Sequence, residues 1–103
     1  MPASSPGPKR GRPAGSRSFD AHSATAFGAV LRTVRLQAGI SQEAAAHDSG
    51  IGRDHFSRLE RGLTQPTLFA MLRIAEALGV RASELLAQTE HAMGQRRRRA
   101  SPR

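Results

Sequence analysis

The sequence predicts an all-α protein, with five helices over residues 23–88 flanked by disordered basic tails at 1–22 and 89–103. Three observations lead there. Between Ser23 and Gln88 apolar residues recur at three- and four-residue intervals, the spacing that lines one face of an α-helix, and no segment alternates like a half-buried strand. Glycines interrupt the pattern at Gly39, Gly50, Gly62 and Gly79, where helices most readily stop. The ends differ in composition: residues 1–22 hold Pro2, Pro6, Pro8 and Pro13 among Gly, Ser and basic side chains, so they offer little to bury.

The first helix is expected from Ser23, with Phe27, Val30, Leu31, Val34 and Ala38 on its inner face and Gly39 at its end. Ser41 is placed to cap a second helix that opens with Gln42 and Glu43, where a carboxylate favours the positive end of the helix dipole. This helix stops at Gly50, and a third begins near Arg53. So short a connection forces a steep crossing, and Ala44, Ala45 and Ala46 supply the small side chains that close approach requires. Phe56 and Leu59 form the inner face of the third helix. After Pro66 the stripe Leu68, Met71, Leu72, Ala75 and Leu78 marks the fourth. A short fifth helix over Ala82 to Gln88 closes the core with Leu85, Leu86 and Val80.

At 103 residues the chain accommodates one domain with a modest core. It has no cysteine for a disulfide or thiolate metal site, and His22, His47, His55 and His91 are too scattered to suggest a metal site. Neither metal nor cofactor is expected. No apolar run suits a bilayer span or a signal peptide, so a cytoplasmic, nucleoid-associated location without membrane contact is expected. The net charge of +8 is concentrated at the ends, in Lys9, Arg10, Arg12 and Arg17 before the helices and in Arg96–Arg99 and Arg103 after them. The arginines and acids between nearly balance, so attraction to a polyanion belongs mainly to the tails.

Taken in order, Phe27-Gly28, Leu31-Arg32, Arg35, Gly39-Ile40-Ser41-Gln42-Glu43, Ala46, Gly50-Ile51, Leu59-Glu60-Arg61-Gly62, Pro66 and Ala77-Leu78-Gly79-Val80 resemble the phage-repressor-like (Cro/cI, or XRE) helix-turn-helix family. The resemblance covers about two thirds of the chain and rests on many individually weak markers at consistent spacing. It implies a lambda-repressor-like, DNA-binding five-helix domain whose second helix touches the DNA backbone while the third enters the major groove. Two positions depart from the family pattern: Gly52 stands where a Ser or Thr often caps the third helix, and Arg81 where Ser often precedes the fifth.

On this resemblance the base-contacting positions are Arg53, Asp54, Ser57 and Arg58, and Gln42, Arg61, Thr64 and Gln65 contact the backbone. An arginine suits the O6/N7 edge of guanine, which accepts two parallel hydrogen bonds. Plainer readings stay open. Asp54 also suits the first turn of a helix without DNA, Ser57 is small, Arg58 can be a solvated arginine and Gln42 a helix-start residue. The family also pairs an arginine late in helix 1 with the glutamate ending helix 3, which implies a structural ion pair between Arg35 and Glu60.

The tails carry weaker motifs. Residues 8–13 contain the Arg-Gly-Arg-Pro core of an AT-hook, so Lys9, Arg10, Gly11 and Arg12 form either a minor-groove arm or a flexible basic arm attracting phosphates unspecifically. Arg96–Arg99 are expected as a solvated basic tail. The leading functional expectation is a transcriptional repressor binding double-stranded DNA as a homodimer, with Phe69 and Leu86 as interface candidates. The alternatives are an antitoxin that also meets a toxin partner and an architectural A·T-preferring protein. No nucleophile-base pair or phosphate-binding glycine loop supports an enzyme.

Overall fold

The computed structural model describes residues 19–100, with side chains as far as Gln95. Five helices follow in order: α1 (Ala21–Gln37), α2 (Gln42–Ser49), α3 (Arg53–Glu60), α4 (Leu68–Leu78) and α5 (Ala82–Ala100), with no strand among the described residues. α1 packs against α3 and α5, α2 against α3 and α4, and α4 against α5. Phe27, Leu31, Phe56, Leu59, Ile74 and Leu85 meet at the centre, all buried.

Local chemistry sets the helix ends. The Ser41 hydroxyl accepts from the Ala44 N–H at 3.0 Å and starts α2. Gly50 ends it in the left-handed region at φ 72°, where a side chain would be strained. Ala45 and Ala46 are buried against the neighbouring helices, whereas Ala44 faces solvent. α3 starts from Gly52 without a side-chain cap, and the Thr67 hydroxyl caps α4 through the Ala70 N–H at 3.0 Å.

Four sequence expectations are corrected. α1 starts at Ala21, not Ser23, because the Asp20 carboxylate accepts from the Ser23 N–H at 3.0 Å. Ala38 is an exposed cap outside the α1 face. On α4 the buried arc is Ala70, Ile74, Ala75 and Leu78, while Leu68 and Phe69 are 68% and 70% exposed. Leu72 is exposed as well. α4 is apolar around most of its girth, so periodicity alone offers two candidate faces, and packing against α2 and α5 selects one.

The fourth correction concerns α5, which continues well past Gln88 to Ala100 and so carries its backbone through the expected tail boundary at 89 and the arginine run. Thr89 is buried with its hydroxyl donating to the Leu85 carbonyl at 2.8 Å, and Ala92 packs against the core. Side chains beyond Gln88 therefore still gain from burial. Arginines near a helix C-terminus also oppose the negative end of its dipole. Leu86, expected in the core, is 49% exposed. The arm residues Lys9, Arg10, Gly11 and Arg12 and the final residues 101–103 lie outside the described residues.

Candidate nucleic-acid interface

The short turn Gly50-Ile51-Gly52 joins the end of α2 to the start of α3. The Ile51 N–H donates to the Ala46 carbonyl at 3.0 Å, and the Ile51 side chain leans on the core. α3 then buries Phe56, Leu59 and Glu60. At about 100° per residue its opposite side must carry Arg53, Ser57, Asp54 and Arg58 in adjacent positions. Arg53, Asp54 and Arg58 are exposed, Ser57 is half-buried between them, and His55 is exposed at the edge.

Gln42 opens α2, and Arg61, Thr64 and Gln65 occupy the loop after α3. Arg61 is exposed; Gln42, Thr64 and Gln65 are half-buried. The Gln65 side-chain oxygen accepts from the Asp20 N–H, tying this loop to the start of α1 and leaving the Gln65 amide NH2 as its outward donor.

Beneath the surface lies a charged knot. The Arg35 guanidinium donates from Nε to Glu60 Oε2 at 2.5 Å, from Nη2 to Glu60 Oε1 at 3.1 Å and from Nη1 to the Ile40 carbonyl at 2.9 Å. Both side chains are buried. The Gln42 Nε2 donates to the same carboxylate at 2.9 Å, and Arg32 approaches it to 4.0 Å from the exposed side. Hydrogen bonds donated to Glu60 hold the Arg35 pKa above the usual arginine value, against the opposing effect of burial. This knot joins the end of α1 and the start of α2 to the end of α3, so it sets where the outer face of α3 points. Gln42 retains a second amide hydrogen that Glu60 does not use.

Close backbone contact does the same for α1 and α3. A Cβ on Gly28 would sit 2.5 Å from both the Leu59 and Glu60 carbonyl oxygens, so only glycine fits there. Sequence reasoning missed one feature of the outer surface. Glu43 binds Arg53, Nη1 to Oε2 at 2.9 Å, with the two side chains 69% and 62% exposed. The glutamate's placement in the first turn of α2 explains its type but does not reveal this partner ten residues on.

A family model for a helix-turn-helix domain matches residues 26–88, from α1 into α5. The chain belongs to this family. Among its relatives, the uncharacterized HTH-type transcriptional regulator y4dJ of Sinorhizobium fredii is 35% identical over 63 residues, 61% of this chain and 82% of that protein. The cryptic phage CTXphi transcriptional repressor RstR of Vibrio cholerae is 28% identical over 64 residues, 62% of this chain and 58% of that protein. The solved restriction-modification controller protein C.AhdI of Aeromonas hydrophila superposes with a TM-score of 0.59 at 37% identity, covering 60% of this chain and 94% of that one. The chain is thus a Cro/cI-like helix-turn-helix transcriptional regulator and not an enzyme. Its helix-turn-helix is α2, the turn at 50–52, and α3. Among the described residues no helix is long and apolar enough to cross a membrane.

Proposed function

We propose that this helix-turn-helix protein is a transcriptional repressor that binds, as a homodimer, a DNA operator of two inverted half-sites, acting in the cytoplasm at the nucleoid. The observation that carries the reading is the outer face of α3, where Arg53, Asp54, Ser57 and Arg58 stand clear of the core beside the start of α2. Inserted in the major groove, Arg53 and Arg58 each suit a guanine O6/N7 edge, Asp54 a cytosine N4 donor, and Ser57 either donor or acceptor. Gln42, Arg61, Thr64 and Gln65 flank this face and hold phosphates, fixing the register without reading sequence. The free N–H groups at the start of α2 favour a phosphate as well.

A single recognition helix is a small footprint, and pairing two copies doubles it at a spacing of about one helical turn of DNA. Leu68, Phe69 and Leu72 on α4 and Leu86 on α5 supply exposed apolar surface suited to that pairing. Repression follows the sense of the relative RstR, itself named a transcriptional repressor. Selection of binding sites from random DNA by the full chain tests the proposal. A motif of two inverted half-sites is expected; a pool that stays random after selection overturns it.

A further inference from the structure

We propose that Glu43 is a specificity-determining residue that reserves Arg53 for a base edge and penalises its use on phosphate. The inference rests on the operator-binding reading above. The Glu43–Arg53 pair joins the first turn of α2 to the first residue of α3, on the surface that faces DNA in that reading. An ion pair this exposed adds little to folding stability, and the helix dipole that favours an acid in the first turn of α2 does not call for one joined to Arg53 where a polyanion would dock. One guanidinium N–H goes to Glu43, and the remaining donors still form the fork that guanine accepts.

Two bound states therefore differ. With Arg53 on a base edge, the pair stays intact and Glu43 stays neutralised. With Arg53 swung onto a phosphate, Glu43 is left bare beside the DNA backbone, and like charges repel. Every sequence offers phosphates and only some offer the right base, so the penalty falls mainly on non-operator DNA. Specificity is a difference between two affinities, and Glu43 widens it by weakening the lower one.

Glu43→Gln keeps the shape and removes the charge. The test measures binding of the full chain to a duplex carrying the selected site and to a scrambled duplex of the same composition, across a salt series. In Glu43→Gln, affinity for the scrambled duplex is expected to rise about three- to tenfold, the scale of one exposed charge beside another. The selected site should gain clearly less, and the salt slope on scrambled DNA should steepen by about one phosphate contact. In an Arg53→Ala background the same change should shift both duplexes by one common factor. With Arg53 present, equal shifts on the two duplexes, or no shift on either, overturn the role of Glu43 and leave the operator reading standing. Equal affinity of the unaltered protein for both duplexes overturns the operator reading itself, and the role of Glu43 with it.

Discussion

At the residue scale, the Arg35–Glu60 pair illustrates why a buried charge matters more for what its loss leaves behind than for what its presence contributes. Removing the carboxylate strands a buried guanidinium and frees Gln42 as well, which typically costs about 3–5 kcal/mol. Glu60→Ala is expected to lower the thermal midpoint sharply, and any loss of DNA binding in it would then report folding; an unchanged midpoint would show that the pair is dispensable. Asp20 gives the pH prediction. Its hydrogen bonds with Ser23 lower its pKa from the ordinary 3.8, so the folded state favours the carboxylate. That contribution is complete above the ordinary value and is lost as pH falls through the lowered one. Asp20→Asn should therefore lose that contribution at neutral pH and flatten the acid limb of stability in urea melts, converging with the unaltered protein as pH falls below about 4. The common outer face of Arg53, Asp54, Ser57 and Arg58 was legible in the sequence, because a 100° step and two large apolar residues settle which way α3 turns. The Glu43–Arg53 contact and the bond from Asp20 to Gln65 were not, because both join separate elements and depend on how those elements dock.

At the scale of elements, five helices and their glycine stops were legible because each stop is a local event, visible as a capping residue or a residue free to adopt positive φ. The buried side of α4 and the length of α5 were not. Leu68 and Leu72 fit a helical stripe as well as Ile74 does, and only the neighbours decide. Thr89 and Ala92 look like tail residues until α5 is laid against the core. The α1–α3 approach carries a sharper consequence. Gly28→Ala must push α1 away from two carbonyl oxygens, an overpacking strain of about 1–3 kcal/mol or more. Chemical denaturation should show that loss, whereas Gly94→Ala, which meets nothing within 4 Å, should hold or raise stability as expected for a helix interior.

At the scale of the whole molecule, charge and recognition are separated. The excess positive charge lies at the two ends of the chain, in residues 1–22 and 90–103, while residues 23–89 are nearly neutral and place three of their seven arginines, Arg53, Arg58 and Arg61, on α3 and in the loop that follows. Attraction to DNA and choice of sequence should therefore respond to different changes. The proposed pairing of copies draws on Leu68 and Phe69, which are exposed on α4. The double change Leu68→Ser, Phe69→Ser is expected to shift sedimentation from dimer to monomer without unfolding, since neither residue is in the core; a protein that is monomeric before the change would remove the two-half-site operator. The most direct test of the account concerns the bases that α3 reads. Sites selected from random DNA by the full chain and by Arg53→Ala should share one motif, except that Arg53→Ala loses its guanine preference at one position in each half-site, worth about 1–3 kcal/mol of discrimination. Identical base preferences in the two selections would contradict the assignment of α3 as the element that reads sequence.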